Sequence, residues 1–179
     1  MTDAAEILLE CDRFRVERVQ RETSRLGRVI RDVIRHPGSV AVVPMVDADH
    51  VCLIRNFRLS VDRALWEVPA GTRDREESTT ATAHRELQEE TGYTAREMEP
   101  IHQFFAAPGI LDEEMYLFLA TELVPGSPHR EPGEEIENAV LKWDKAIQMV
   151  HSGEICDAKT LVALLIMDAR RRQTPLSGD

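Results

Sequence analysis

Residues 71–93, GTRDREESTTATAHRELQEETGY, decide the fold of this chain, because in them a glycine loop leads into an acidic helical segment. Ser78 or Glu77 marks the start of the helix, and the Ser hydroxyl can accept a hydrogen bond from a backbone N–H that lacks a partner inside the helix. Gly92 follows the last helical position and readily adopts the left-handed conformation that ends helices. The pattern therefore predicts a helix over residues 78–91.

Three glutamates share one face of this predicted helix. Glu86 and Glu90 lie four residues apart and Glu89 lies three from Glu86, spacings that bring side chains together. Their repulsion destabilises the helix unless a hard cation such as Mg²⁺, which prefers carboxylate oxygens and substrate phosphates, neutralises it. Arg85, four residues before Glu89, can pair with it. A solvated acidic face would explain the glutamates alone, but not the glycine loop before them and the glycine after.

The segment resembles the signature of the Nudix hydrolases. That signature is Gly, five residues, Glu, seven residues, Arg-Glu, an aliphatic residue, any residue, Glu-Glu, any residue, Gly and a hydrophobic residue. It is filled in register by Gly71, Glu77, Arg85, Glu86, Leu87, Glu89, Glu90, Gly92 and Tyr93. The aromatic Tyr93 stands where an aliphatic residue is commoner. A match at this many fixed positions is far more specific than a lone glycine motif.

The resemblance implies a metal site and its chemistry. The implied ligands of Mg²⁺, or of Mn²⁺ as a substitute, are Glu86, Glu90, Glu89 and the carbonyl oxygen of Ala70. Arg85 would orient the glutamates, and Glu77 would anchor the loop. Gly71 would let the loop turn back close to the helix, which needs a residue without a side chain.

Flanking residues resemble the branch of the family that cleaves ADP-ribose and other nucleoside diphosphate sugars. WEVPAG, residues 66–71, is similar to the entry motif of that branch, and Pro108 stands where the branch often has a proline. The usual Ser before that proline is Ala107 here. The resemblance implies substrate-binding roles for Glu67, Pro108 and Glu113. An ordinary turn between strands would also explain the proline.

The implied reaction is Mg²⁺-dependent hydrolysis of the diphosphate of ADP-ribose to AMP and ribose 5-phosphate. The enzyme alternative is a pyrophosphatase for another nucleoside diphosphate sugar, such as GDP-mannose or a UDP-sugar. Two other classes remain, a domain that senses nucleotides without cleaving them and a plain protein-interaction domain. The first commonly loses the glutamates that this chain keeps, and the second has no need to hold repelling carboxylates together.

A base must activate the attacking water. In this branch it is often a Glu on the loop before the last strand, and here we favour Glu135, with Glu134 second and Glu89 as a competing base. Arg55 and Arg58 follow an apolar strand, where the branch often places arginines that grip a phosphate or stack on the base. Exposed arginines of a hairpin would explain both equally well.

Hydrophobic periodicity predicts the remaining elements. Residues 39–46 and 51–57 read as a buried hairpin, and Asp144 and Asp157 read as caps of two closing helices. The predicted strands are 12–20, 24–35, 39–46, 51–57, 66–71, 99–106, 114–123 and 136–143, and the later helices are 144–151 and 157–172. The order is not that of a parallel doubly wound sheet. It predicts an α+β Nudix fold, a mixed sheet sandwiched between helices, with an N-terminal antiparallel extension.

The domain organisation follows from these elements. Residues 1–37 form an N-terminal strand region, residues 38–173 the Nudix domain and residues 174–179 a frayed tail. Relatives in this branch are typically homodimers whose N-terminal strands cross to the partner, so the resemblance implies a homodimer. Strands rich in Arg and Val also need something to cover them.

Composition narrows the partners. The formal charge of −10 disfavours non-specific nucleic-acid or anionic-membrane binding, while a bound cation could still admit an anionic substrate. The chain has neither a signal peptide pattern nor an apolar run long enough for a membrane span. Its three widely spaced cysteines match no disulfide or zinc pattern. We therefore expect a cytoplasmic protein with a small nucleotide-sugar substrate.

Overall fold

A computed structural model describes residues 4–73, 76–130 and 135–173. Three helices and ten strands make up these ranges. The strands are β1 (Ala4–Glu10), β2 (Arg15–Thr23), β3 (Gly27–Arg35), β4 (Ser39–Pro44), β5 (His50–Arg58), β6 (Arg63–Glu67), β7 (Ala70–Thr72), β8 (Thr94–Phe105), β9 (Glu114–Val124) and β10 (Ile136–Lys142). The helices are α1 (Thr79–Thr91), α2 (Trp143–Ser152) and α3 (Ala158–Gln173).

A four-stranded mixed sheet in the order β7-β4-β9-β8 forms the centre of the protein. Strand β4 runs parallel to β9 and antiparallel to β7, and β8 is antiparallel to β9. Every residue of β4 is buried. A strand covered on both faces needs an almost continuous apolar sequence, which is what residues 39–44 supply.

Helices cover both faces of this sheet. Val40 and Val42 on one face of β4 pack with Ala83 and Leu87 of α1. The alternate β4 residues face a larger core that includes residues from α2 and α3. The predicted sandwich of helices around a mixed sheet is confirmed, although the strands divide between this sheet and a second one.

The second sheet, β10-β5-β6, is antiparallel and corrects the prediction of a β4–β5 hairpin. Only one bridge, Met45 to Val51, links the chain after β4 to β5 among the described residues. Both edges of β4 are already taken by β7 and β9, so β5 leaves β4 after the turn and pairs elsewhere. Apolar alternation predicts a strand but not its partner.

The N-terminal strands form a separate three-stranded antiparallel sheet, β1-β2-β3. The sequence predicts strands over residues 12–20 and 24–35 but misses β1. The sheet exposes several large apolar side chains: Ile7, Leu8, Leu9, Leu26 and Ile30. Arg35, the last residue of β3, ties this sheet to the body of the protein through Asp112 at 3.0 Å.

Helix ends test the sequence reading directly. The Ser78 hydroxyl accepts a hydrogen bond from Ala81 N at 3.1 Å, and Gly92 adopts φ 80°, so both predicted ends of α1 are confirmed. The Asp157 carboxylate accepts from Thr160 N and caps α3 as predicted. The predicted cap of α2 is wrong, because that helix begins at Trp143 and Asp144 lies in its first turn.

The three cysteines are free, with Cys11 and Cys156 exposed and Cys52 buried. Burial raises the pKa of the Cys52 thiol to about 11. Within the described ranges, we find no helix whose length and apolarity would let it cross a bilayer. The predicted tail of residues 174–179 lies outside the described residues.

Candidate active site

The site begins where the glycine loop meets α1. A Cβ placed on Gly71 would lie 2.0 Å from the carboxyl carbon of Glu86, so a side chain there would displace that carboxylate. This contact gives the physical reason for the first glycine of the motif, which is close approach and not an unusual φ. The loop and the acidic face of the helix are therefore in direct contact.

Arg85 organises the acidic face. Its guanidinium donates to Glu86 Oε1 at 2.6 Å, to Glu89 Oε2 at 3.0 Å and to Glu77 Oε2 at 3.2 Å. Burial works to lower the pKa of Arg85, but the three carboxylates outweigh it and the pKa is raised. Burial raises the pKa of Glu77, but hydrogen bonds from Arg85 and Thr82 reverse the effect and lower it. The arginine stays charged and the Glu77 carboxyl ionised at neutral pH.

Glu90 connects the helix to the loop from the other side. Its side chain is buried, with 3% exposed, and its Oε2 accepts a hydrogen bond from Ala70 N at 2.8 Å. Glu86 is also buried, with 8% exposed. Ala70 and the two predicted principal metal ligands are thus neighbours.

The donor chemistry of this cluster fits a hard divalent cation. Three carboxylates of the cluster, those of Glu86, Glu89 and Glu90, line one cavity, and carboxylate oxygens are the ligands that Mg²⁺ prefers. Among the described residues, no three His, Cys, Asp or Glu side chains converge on one point suited to a metal ion. A cation would compete with Arg85 for the oxygens of Glu86 and Glu89.

The acidic face opens into a cavity of about 1290 Å³. Ligand sites of drug-sized molecules usually occupy about 300–1,000 Å³, so this cavity can hold a larger molecule. Of the predicted site residues, its wall contains Arg58, Ala70, Arg85, Glu86, Glu89, Glu90 and Glu113. One cavity thus gathers both the predicted metal ligands and two predicted substrate contacts.

A buried ion-pair network forms one wall. Arg58 donates to both carboxylate oxygens of Glu67, at 2.7 and 2.6 Å, and Lys159 donates to Glu67 Oε2 at 2.5 Å. The hydrogen bonds to Glu67 raise the pKa of Arg58. The Glu67 side chain is 1% exposed and does not line the cavity. Its predicted role in substrate binding would therefore pass through Arg58 and Lys159.

Another part of the wall joins the N-terminal sheet to the residues just before β9. Glu113 accepts a hydrogen bond from the Ser39 hydroxyl at 2.6 Å. Arg35 pairs with Glu17 at 2.8 Å and with Asp112 at 3.0 Å. The hydrogen bond from Arg35 lowers the pKa of Glu17. These contacts bring residues 17–39 and residues 112–113, which are more than 70 positions apart in the chain, together at the cavity.

Besides Glu67, three further predicted residues lie away from the cavity wall. Arg55 is exposed on β5, Pro108 is exposed in the turn after β8, and Glu135 is exposed just before β10. Phe57 N donates to the carbonyl oxygen of Glu135 at 3.3 Å, which fixes the backbone there. Glu134 lies outside the described residues.

The last turn of α1 is held by the segment that follows β9. His129 N donates to Glu89 O at 2.9 Å, and the side chain of Asn138 donates to Thr91 O at 2.7 Å. A Cβ on Gly92 would lie 2.8 Å from the carbonyl oxygen of Gly126, so the backbones touch. These bonds satisfy carbonyl groups that a helix end leaves open.

Part of the cavity wall was not predicted from the sequence. Residues 10–15 and 35, and the start of α3 with Asp157 and Lys159, all line it. Asp157 predicted where α3 starts, but it did not predict that this start lines the cavity. Nothing in a single sequence pairs Arg35 with Glu17.

Comparisons with known proteins agree with this geometry. The model of the NUDIX domain matches residues 35–164. An ADP-ribose pyrophosphatase of Bacillus subtilis (strain 168) is 38% identical over 136 residues, which cover 75% of this chain and 74% of that protein. A GDP-mannose pyrophosphatase of Salmonella typhimurium (strain LT2) is 32% identical over 157 residues, covering 79% of this chain and 81% of that protein.

A solved structure described as an ADP compounds hydrolase has the same fold. It superposes with a TM-score of 0.82 and covers 95% of this chain and 92% of that one. The sequences are 23% identical, so the likeness speaks for the fold alone.

Proposed function

Because the chain belongs to the NUDIX family, we propose that it is a divalent-metal-dependent pyrophosphohydrolase that cleaves ADP-ribose to AMP and ribose 5-phosphate. The observation that carries this proposal is the acidic face of α1, where Glu86, Glu89 and Glu90 meet the glycine loop at a large cavity. A diphosphate substrate and its cations would balance the charge of that face. The likeness to an ADP-ribose pyrophosphatase supports the choice of substrate.

Mg²⁺ is the proposed ion, with Mn²⁺ as a substitute. Glu86 and Glu90 would hold it, with Glu89 and the Ala70 carbonyl oxygen as further donors. When bound, such an ion neutralises the diphosphate and polarises an oxygen at the reacting phosphorus. Arg85 keeps the carboxylates oriented through its three ion pairs.

The reaction needs a proton acceptor and a grip on the substrate. A water oxygen forms a bond to one phosphorus, the bridging P–O bond breaks, and the water proton passes to a carboxylate. We propose Glu135 as that base, with Glu134 second and Glu89 as the competitor. Arg58 lies in the cavity wall with its guanidinium oriented by Glu67, which suits it to hold a phosphate.

Further substrate contacts are proposed for the remaining predicted residues. Glu113 lies in the cavity wall, and we propose that it contacts the sugar or base. Arg55 and Pro108 are exposed in this chain, so a substrate contact would require a substrate that reaches beyond the cavity.

The test of the proposed function is a substrate panel. The purified protein is incubated with Mg²⁺ and ADP-ribose, GDP-mannose, UDP-glucose, NADH or a dinucleoside polyphosphate, and products are separated by chromatography. We expect AMP and ribose 5-phosphate to form fastest from ADP-ribose. Tight binding of one compound without cleavage of any would replace the enzyme with a nucleotide-sensing domain.

A second substrate is favoured by one comparison. The alignment with the GDP-mannose pyrophosphatase covers 81% of that protein, whereas the alignment with the ADP-ribose pyrophosphatase covers 74% of its relative. GDP-mannose or a UDP-sugar would use the same carboxylates and the same water attack, because these substrates share the diphosphate. A preference for GDP-mannose in the panel would keep the chemistry and change the substrate.

The base is tested by three separate variants. Glu135→Gln, Glu134→Gln and Glu89→Gln each remove one candidate carboxylate while keeping its shape. We expect Glu135→Gln to lose about 100-fold or more in kcat, the usual contribution of general base catalysis. Full turnover of Glu135→Gln at neutral pH would pass the role to whichever other variant is slow.

We also propose a cytoplasmic homodimer. The exposed apolar residues of the β1–β3 sheet, together with its open edge strands, favour a partner that covers them. Free cysteines are usual for a reducing compartment. Light scattering at micromolar concentration should give twice the chain mass of 20.3 kDa, and a monomer mass would count against the dimer.

A further inference from the structure

Residues 67–70, which join β6 to β7, are held in place at every position. Glu67 binds Arg58 and Lys159, and Pro69 O accepts from Val42 N at 2.9 Å. Val68 N donates to Thr160 Oγ1 at 2.9 Å, and Ala70 N donates to Glu90 Oε2 at 2.8 Å. This turn carries the Ala70 carbonyl and leads directly into the glycine loop.

Two of these tethers come from the first turn of α3. The Thr160 hydroxyl accepts from Val68 N and donates to Asp157 Oδ2 at 2.6 Å. Lys159 lies between Asp157 Oδ1, at 3.1 Å, and Glu67 Oε2. Asp157 thus caps its own helix and also holds the two side chains that reach across 92 positions of sequence.

Burial makes these contacts specific. Thr160, Val68 and Glu67 are each 0% exposed. A buried N–H or carboxylate that loses its partner is strongly destabilised, so the turn cannot shift without breaking several bonds at once. An ordinary helix cap would require only the bond from Asp157 to Thr160 N, and it would leave the Thr160 hydroxyl and the Lys159 ammonium without a reason to face the turn.

We propose that Thr160 and Lys159 are positioning residues for the metal site. They fix the turn of residues 67–70, and the turn fixes the Ala70 carbonyl and the oxygen of Glu90 to which Ala70 N is bonded. The inference rests on the proposed function, because it assumes that Glu90 and the Ala70 carbonyl hold a cation. Partners that orient the ligands of a metal site commonly change metal affinity when they are removed.

The test measures metal binding without substrate. Thr160→Val keeps the shape of the side chain and removes its hydroxyl, whereas Thr160→Ser keeps the hydroxyl. The dissociation constant of Mn²⁺ is measured by the electron paramagnetic resonance signal of the free ion, and kcat and KM are measured with ADP-ribose. We expect Thr160→Val to bind Mn²⁺ about tenfold more weakly and to lose a similar factor in kcat. Thr160→Ser should restore both values.

A matched control separates positioning from general stability. Trp143→Phe removes the hydrogen bond from Trp143 Nε1 to Asp168 Oδ1, which lies at the far end of α3. It should lower the melting temperature and leave Mn²⁺ affinity unchanged. If Thr160→Val does not fold, Lys159→Gln is the second variant. It removes the ion pair between Lys159 and Glu67, which also holds the turn of residues 67–70, and it should weaken Mn²⁺ binding in the same way.

The outcomes are distinguishable from those of the proposed function. A wild-type protein that neither binds Mn²⁺ nor cleaves any nucleotide sugar overturns the proposed function. An active wild-type protein together with a folded Thr160→Val that binds Mn²⁺ as tightly as wild type overturns only the positioning role. Equal loss of Mn²⁺ affinity in Thr160→Val and Trp143→Phe would also overturn it, since the effect would then follow stability.

Discussion

The two helices that meet at the cavity carry different arrangements of charged side chains. On α1, the carboxylates of Glu86, Glu89 and Glu90 lie close in sequence on one helix face, and the guanidinium of Arg85 donates to Glu86 and Glu89. At the start of α3, carboxylates and cations alternate, with Lys159 between Asp157 and Glu67. The first arrangement gathers carboxylates of like charge on one helix face, whereas the second places charges of opposite sign next to each other.

Because of this difference, two similar residues, Glu67 and Glu90, are expected to have different roles. Glu67 and Glu90 are both buried glutamates that hold the turn of residues 67–70, Glu67 as its first residue and Glu90 from α1 through Ala70 N. Glu67 accepts three hydrogen bonds from charged donors, so its charge is compensated inside the chain. Glu90 lines the cavity, where a bound ion could reach its carboxylate. Their substitution should therefore affect different measurements.

The largest expected effect belongs to Glu90→Gln. Removal of a charged ligand should lower kcat/KM by more than about 100-fold, because even partners of metal ligands are worth 10–100-fold. Steady-state kinetics with ADP-ribose and Mg²⁺ checks it. Gln88→Ala, at an exposed position of the same helix, serves as the control and should keep wild-type activity. Near-normal activity of Glu90→Gln would contradict a metal-binding role for the acidic face of α1.

Glu67→Gln should act first on stability. The substitution leaves Arg58 and Lys159 facing a neutral group at a buried position, and loss of one partner of a buried pair is worth about 3 kcal/mol. Urea unfolding measures this change in the free energy of unfolding. Glu99→Gln, which breaks the exposed pair with Arg170, is the control and should change stability by less than about 1 kcal/mol. Equal effects of the two substitutions would contradict the buried role.

Gly71→Ala should lower metal affinity without unfolding the protein. The new Cβ would meet the Glu86 carboxyl group at 2.0 Å, and that group is the flexible end of its side chain, so it would move. We expect about tenfold weaker Mn²⁺ binding, the lower end of the range for displaced metal-site partners. Gly109→Ala is the matched control, since a Cβ there meets nothing within 4 Å. Unchanged affinity in Gly71→Ala would show that the close approach is not needed.

The smallest effect is expected from acid titration of Glu77. Its pKa in the folded protein lies below the ordinary 4.5, so its ion pair with Arg85 contributes stability that is complete above that pH. The contribution is lost as the pH falls below 4.5 through the folded pKa. The difference in unfolding free energy between wild type and Glu77→Gln should therefore be constant near neutral pH and shrink below that range. A difference that grows on acidification would have the wrong sign.

The helix of residues 79–91 and its acidic face could be read from sequence, because both depend on local spacing. Ser78, Gly92 and the intervals among the glutamates act over one to four turns of chain, where helical geometry is known in advance. The same holds for Asp157 as the cap of α3. The misassigned cap of α2 was also a local error, because the helix is capped at Lys142 and not at Asp144.

Pairing between distant segments could not be read in this way. The sequence predicts β5 as a strand, but its place beside β10 and β6 depends on β4 having both edges occupied. Strand β1 carries little alternation and owes its form to pairing with β2. The choice among Glu134, Glu135 and Glu89 as base likewise depends on distances that no spacing encodes.

The amino-acid order alone determined the family, the acidic face of α1 and the oxygen chemistry expected of a metal site, because these follow from periodicity and from a motif with fixed intervals. The tertiary structure decided which side chains share the cavity. It set Glu67 behind Arg58 and Lys159, and it brought the start of α3 against the turn that carries Ala70. Those contacts join residues far apart in the chain, and only the packing of the sheets and helices brings them within hydrogen-bond distance.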